Sequence, residues 1–208
     1  MIYIEPWSLI YHPIPKCACT SIKRCICNLI GIKIDYEDQV HRKNFFDPME
    51  EKTYCEHKKI QYYLKKDLNL NNFKSFVVAR NPLDRIVSCY FNKIIEKKGG
   101  LQKEYYEIKK FDDFVSMCTS NKFPNIHTNP MYTFIENKSI DFILKLENIN
   151  NDWINMFEKL NFEHIPNLPH QNKSKKYKIN ISKKTRNLIC DFYKKDFEFF
   201  KYKNFLFL

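Results

Sequence analysis

The sequence predicts an α/β layered fold with a central parallel sheet flanked by helices, and three observations carry that prediction. Short apolar segments alternate along the chain with stretches whose apolar residues recur at helical spacing. One of those segments, SFVVAR at 75–80, is apolar without alternation, the pattern of a strand covered on both faces. Two of the segments run through a tight turn straight into a helix, the unit from which parallel sheets are assembled.

Taken in order, SLIYHPI at 8–14 is the first strand and TSIKRCICNLIG at 20–31 the helix after it, stopped by Gly31. Residues 33–58 are polar, aromatic and irregular and carry His41 and His57, while 58–67 read as another helix. SFVVAR is the second strand. In NPLDRIVSCYFNKIIEKKGG at 81–100, Pro82 marks a helix start, Leu83, Ile86, Val87, Tyr90 and Ile94 follow at helical spacing, and Gly99 and Gly100 end it. FDDFVSMC is a helix, DFILKL at 141–146 the third strand, NDWINMFEKL a helix, and 183–200 one long helix capped by Ser182. Phe192, Tyr193, Phe197, Phe199 and Phe200 recur there as core packing rather than as a base-stacking surface. PHQNKSKKYKIN at 169–180 has the composition of an exposed loop, its lysines either a solvated face or a flap over an anion.

A chain of 208 residues with 44% hydrophobic and 16% aromatic side chains can bury one sizeable core, so residues 1–208 are expected to form a single domain. Lys and Arg number 35 against 24 acidic residues; the formal charge of +11 calls for an anionic partner. Nucleic acid, acidic glycan, anionic lipid and a polyphosphorylated nucleotide all meet that condition. No window approaches the roughly 18 to 20 apolar residues of a membrane span, and no basic region followed by an apolar one opens the chain. The expectation is a soluble, cytoplasmic protein without a transmembrane segment. Eight cysteines without a dense, regular framework suit reduced thiols. Cys17, Cys19, Cys25 and Cys27 form two C-x-C pairs, but positions two apart on a helix point about 200° apart, so Cys25 and Cys27 would not converge on a metal ion.

The chemistry concentrates in the two turns. A helix N-terminus after a strand presents unpaired N–H groups and partial positive charge, a natural anion site. In IPKCACTS at 14–21, Lys16 adds a full charge, small Ala18 lets the backbone approach, and Thr20 and Ser21 bring hydroxyls to the helix start. Alternatively, Thr20 or Ser21 only caps its helix and Lys16 is solvated. A nucleoside-triphosphatase loop would read G-x-x-x-x-G-K-[ST]; here Lys16 precedes Thr20 by four positions and the turn holds no glycine, which also removes the need for a loop-held magnesium ion. In the second turn Arg80, at the carboxyl end of its strand, can pair bidentately with a phosphate, and Ser88 on the following helix can meet the same group. For Arg85 an ion pair with Asp84 or with a carboxylate at the sheet edge is the preferred reading.

These residues carry a resemblance. IPKCACTSIKR resembles the turn that binds the 5′-phosphosulfate in sulfotransferases using 3′-phosphoadenosine 5′-phosphosulfate (PAPS), where P-K-x-x-x-T-S follows the first strand. VVARNPLDRIVSCY is similar to that family's R-x-P-x-x-R-x-x-S-x-Y motif, which binds the nucleotide's 3′-phosphate, and the likeness is greatest to the carbohydrate branch. IHTNPMYTFI resembles an H-x-x-P-Q segment, DFILKLENIN a D-F-I-x-K-x-E-x-L segment and FYKKDFEFFKY a closing Y-x-x-D-F-E-x-F-x-Y, all in the same order and together spanning most of the chain. The resemblance implies a P-loop-like three-layer α/β sandwich and sulfuryl transfer from PAPS to a hydroxyl of a carbohydrate or glycan acceptor, with no metal and no nucleic-acid partner.

The resemblance also implies roles. Pro15, Lys16, Cys17, Ala18, Cys19, Thr20 and Ser21 would form the donor's 5′-phosphate turn, with Lys16 neutralising the leaving oxygen; Arg80 and Ser88 would take the 3′-phosphate. Lys173, Ser174 and Lys175 occupy the place of a late loop that closes over the nucleotide in relatives. The family's base is a histidine or carboxylate, often between the two phosphate motifs. His41 is the preferred base, because QVHRKNFF sets an aromatic cluster in a polar stretch and an unperturbed pKa near 6.5 suits proton removal. His57 and His127 are the alternatives; beside His127, Met131 replaces the glutamine of the H-x-x-P-Q pattern, and Glu147 is better read as fixing a loop. Two rival classes stand beside this one. A kinase-like phosphotransferase would want the missing glycine-rich loop, and a basic nucleic-acid-binding module would account for charge and aromatics but not for preference for a 3′-phosphorylated adenosine.

Overall fold

The computed structural model describes residues 2–29, 31, 72–98, 105, 107–120, 125–169 and 179–203. They form two compact units that interleave along the chain: the first draws on Met1–Ile14, Ala18–Val78 and Lys138–Lys173, the second on Pro15–Cys17, Ala79–Asn137 and Ser174–Leu208.

The first unit is built on a four-stranded sheet in the order β1 (Ile2–Ile4), β2 (Leu9–His12), β3 (Lys74–Ala79), β4 (Phe142–Lys145), with Ala79 the first residue of the second unit's stretch. β2 and β3 run parallel, with Tyr11 opposite Phe76, as the strand–turn–helix pattern requires. β1 pairs antiparallel with β2, joined through a 3₁₀ turn at Glu5–Trp7 short enough for a reversal. The sheet is therefore mixed. That edge strand escaped the periodicity reading because three residues are too few to show a period. Ser75 to Ala79 of β3 are all buried, as expected of an apolar run without alternation.

Helix α1 (Cys19–Leu29) puts Ile22, Cys25 and Ile26 inward at helical spacing and stops short of Gly31, whose φ of 72° is open to glycine without a Cβ clash. The rings of Trp7, Phe76, Trp153 and Phe157 meet edge to face at centroid distances of 4.9 to 6.0 Å, bringing the sheet and α4 (Ile149–Lys159) into one core. Trp153 also donates its indole N–H to the carbonyl of Pro166 at 2.8 Å, which satisfies the polar end of a buried ring.

The second unit is helical. α2 (Pro82–Tyr90) starts with Pro82 where a missing N–H costs nothing, and Asn81 caps it by accepting from the N–H of Leu83 at 3.0 Å. α2 then loosens into a π-turn over Phe91–Ile95. With α3 (Phe111–Thr119), α5 (Lys183–Phe192) and α6 (Lys194–Phe199) it encloses Ile86, Tyr90, Ile94, Phe111, Phe114, Ile189, Tyr193 and Phe197. Ser182 caps α5 as expected, accepting from the N–H of Thr185 at 3.1 Å. The single helix expected over 183–200 is instead two, broken at Tyr193. There the buried ring sends its hydroxyl to the carbonyl of Thr128 at 2.6 Å, and its φ of −100° and ψ of 21° leave the helical region. The expected helix at 58–67 and the Gly99–Gly100 stop lie outside the described residues.

Candidate functional site

The turn between β2 and α1 does without glycine, yet Lys16 has a φ of 69° and Ala18 a φ of 58°. Left-handed backbone at residues with a Cβ costs about 1–2 kcal/mol each, so something must hold it. Side chains hold the carbonyls. In the first unit the thiol of Cys19 donates to the carbonyl of Ile14 at 2.9 Å. In the second unit Arg85 Nε donates to the carbonyl of Pro15 at 3.0 Å, and Arg80 Nη1 to that of Lys16 at 3.4 Å. Side chains thus engage the carbonyls of Ile14, Pro15 and Lys16 in turn.

Helix α1 begins at Cys19, and the N–H of Ile22 bonds the carbonyl of Ala18 at 3.1 Å. Ala18 therefore occupies the capping position. Thr20 and Ser21 lie inside the first turn, Thr20 half-buried and Ser21 buried, which sets aside the reading that either caps the helix. No acidic residue stands in that first turn to neutralise its partial positive charge.

In the second unit Lys16 lies among the cations of Lys93 and Arg80 and the carboxylate of Glu96. Burial, first of all, pulls the Lys16 ammonium down to about 8; Cys89 and Glu96 work against that, and the cations of Lys93 and Arg80 work with it. An anion bound beside it would reverse that shift. Cys89 is pushed up to about 11 by burial, against the pull of the Lys16, Arg85 and Lys93 cations. Arg80 is half-buried at the end of β3, and Ser88 sits half-buried on α2.

Arg85 corrects the sequence reading. It is 1% exposed, and among the described residues its guanidinium pairs with no carboxylate: it donates to the carbonyls of Pro15 and of Asn129, the latter from Nη1 at 2.8 Å. The signal was present, for Arg85 shares the inward stripe of α2 with Pro82, Ile86, Cys89 and Tyr90, and an arginine on an apolar stripe faces the interior. Asp196 was missed altogether. It is fully buried and accepts from the N–H groups of Met131 and Tyr132 at 2.7 and 2.8 Å, capping the 3₁₀ turn Met131–Phe134. Its trace in the sequence was the closing FYKKDFEFFKY segment, in which the aspartate was given no role.

Of the other expected residues, Cys17 is buried with its sulfur 3.7 Å from that of Met131, the residue standing where the resemblance has glutamine. His127 lies in the turn 125–130, its N–H bonded to the side chain of Asn125 at 2.9 Å. Glu147 is exposed on a 3₁₀ turn at Leu146–Asn148, and the loop there is fixed by Asp152, which accepts from the N–H of Lys145 at 2.7 Å. His41, His57, Lys173, Ser174 and Lys175 lie outside the described residues. Among the described residues no helix is long and apolar enough to cross a membrane, and no three His, Cys, Asp or Glu side chains are grouped to hold a metal ion.

Comparison with known proteins adds independent findings. A family model described as sulfotransferase family matches residues 2–203. The chain is similar to carbohydrate sulfotransferase 11 of Mus musculus, 25% identical over 97% of this chain and 66% of the mouse protein. It is also similar to carbohydrate sulfotransferase 11 of Rattus norvegicus, 32% identical over 47% of this chain and 27% of that protein, and of Danio rerio, 33% identical over 45% and 26%. The chain thus spans less than two thirds of the length of these relatives. No solved structure matches it.

Proposed function

The chain belongs to the sulfotransferase family, and on that footing we propose that it transfers a sulfuryl group from PAPS to a hydroxyl of a carbohydrate or glycan. The observation that carries the proposal is the cation cluster of the second unit. Lys16 and Arg80, which head the two phosphate motifs, are joined through the Lys16 carbonyl, and the Lys16 ammonium is held down to about 8 by burial and by its cationic neighbours. Such a cluster suits a dinegative nucleotide end, so the residues present fit the donor.

The donor brings an activated sulfuryl group on a phosphate leaving group. In this reading the acceptor hydroxyl attacks sulfur in line and adenosine 3′,5′-bisphosphate departs. Lys16 neutralises the bridging oxygen as charge builds there, and Thr20, Ser21 and the N–H groups of 16–21 hold the 5′-phosphate. Arg80 and Ser88 take the 3′-phosphate, the feature that sets this donor apart from ATP. A histidine removes the acceptor proton, His41 first, with His57 and His127 as alternatives. Lys173, Ser174 and Lys175 are assigned to the nucleotide by the family resemblance alone. The relatives' printed names support the carbohydrate acceptor.

Thermal unfolding with adenosine 3′,5′-bisphosphate, with ATP plus magnesium and with neither tests the reading. Bisphosphate at about 100 times its dissociation constant adds roughly 2.7 kcal/mol and should raise the midpoint by several degrees, an increase lost in Arg80→Ala and in Lys16→Ala. A rise only with magnesium-ATP would sink the proposal in favour of a kinase-like phosphotransferase.

A further inference from the structure

Arg85 is the buried cation whose bonds reach two separate turns of the second unit. Its Nε holds the carbonyl of Pro15, 70 positions away, and its Nη1 the carbonyl of Asn129, 44 positions away. The first carbonyl immediately precedes Lys16; the second belongs to the turn that carries His127. From the other end Asp196 holds the same stretch, through the N–H groups of Met131 and Tyr132. Arg85 also acts on Asp196 through charge, opposing the upward push that burial gives the carboxyl. Four segments far apart in the sequence, those of Pro15, Arg85, Asn129 to Tyr132 and Asp196, are thus tied through one buried arginine and one buried aspartate.

A guanidinium is the side chain for such a task. Its separate N–H groups lie in one plane and can serve two carbonyls from different segments at once, whereas a lysine ammonium is a point on a flexible stem. The bond to Pro15 also answers a local need, since Lys16 is left-handed without being glycine and its conformation depends on the carbonyls around it being held.

We propose that Arg85 is a positioning residue for the donor, its guanidinium fixing the Pro15 carbonyl and the Asn129 carbonyl in one register so that Lys16 is presented to the bound nucleotide. The inference rests on the sulfuryl-transfer reading and adds to it a residue that touches neither donor nor acceptor.

The experiment uses the full chain, wild type and Arg85→Lys, with adenosine 3′,5′-bisphosphate as probe in calorimetric titrations between about pH 7 and pH 9.5. In wild type the affinity should fall as the pH passes the Lys16 value of about 8, because the ammonium loses its proton there. Arg85→Lys should bind on the order of tenfold more weakly at pH 7 and lose that pH-dependent step, a change that lower stability alone does not produce. A folded Arg85→Lys protein with wild-type affinity and an unchanged pH profile overturns the inference while leaving the sulfotransferase reading intact. Failure of wild type to bind the bisphosphate overturns both. A second measurement needs no substitution: in wild type the Arg85 Nε–H signal should be protected from solvent exchange and shift on adding bisphosphate. A signal that exchanges like an exposed arginine's, or that ignores the ligand, rejects the proposal even if Arg85→Lys does not fold.

Discussion

A charged or titratable side chain that enters a folded interior keeps its chemistry and loses its water, and three residues of this protein show three outcomes. Arg85 turns its guanidinium donors to backbone carbonyls. Lys16 has its ammonium brought down to about 8 by burial. His12, buried at the end of β2, is pushed down to about 4 by burial first and then by the Lys138 cation, and its Nδ1 has no hydrogen-bond partner among the described residues. The sign of its pH effect follows from that shift. The folded state refuses a proton that the unfolded chain accepts near 6.5, so no penalty exists above that value. Stability should then fall as the pH drops from 6.5 towards 4, by up to about 1.4 kcal/mol per pH unit from this group. Urea unfolding of wild type and His12→Phe at pH 7 and pH 5 should show the variant gaining on wild type in acid; a gap that does not change with pH would remove His12 as the cause. At this scale the sequence was legible for Lys16 and Arg80, whose motif neighbours announce an anion site. It was misleading for Arg85, because the nearest acid along the chain, Asp84, is exposed while Arg85 lies on the buried face of the helix.

Elements followed local pattern wherever the pattern was long enough to be unambiguous. α1, α3 and α4 lie within one or two residues of where apolar spacing puts them, since each needs only one face to be buried. The α5 start was equally legible, because a serine before a helical run supplies the acceptor that an orphan N–H requires. Replacing it tests that account. Ser182→Ala should cost about 1 kcal/mol in a urea titration and Ser182→Asp close to nothing, as aspartate caps equally well; equal losses for the two would show that the bond to Thr185 carries little. The end of that helix was not legible. Spacing from Lys183 to Phe200 is continuous, and only the pull of the Thr128 carbonyl on the Tyr193 hydroxyl shows why the chain turns there. The π-turn after α2 is similar: FNKII has no glycine or proline to mark it, yet within it Lys93 and Ile94 are both buried.

The whole molecule is set by charge and by the interleaving of two units. A net charge of +11 raises the local concentration of any anion, and that field is screened by salt over roughly 8 Å at physiological ionic strength. Binding of adenosine 3′,5′-bisphosphate should therefore weaken several-fold between about 50 and about 300 mM sodium chloride. A 3′-phosphate recognised by Arg80 should nevertheless keep the bisphosphate ahead of 5′-AMP throughout. Equal affinities for the two nucleotides at every salt concentration would mean that only the general field attracts them, as in a basic nucleic-acid-binding module. The sequence by itself determined the alternation of strands and helices, the buried character of β3, the two turns where anion chemistry gathers and the membership of the family, because each is written in neighbouring residues. Only the tertiary structure decided the antiparallel edge strand β1, the break at Tyr193 and the partners of Arg85 and Asp196. Periodicity records which face of an element is covered, whereas the atom lying opposite comes from segments tens of residues away. Its identity is settled by packing and by the need of every buried polar group for a partner.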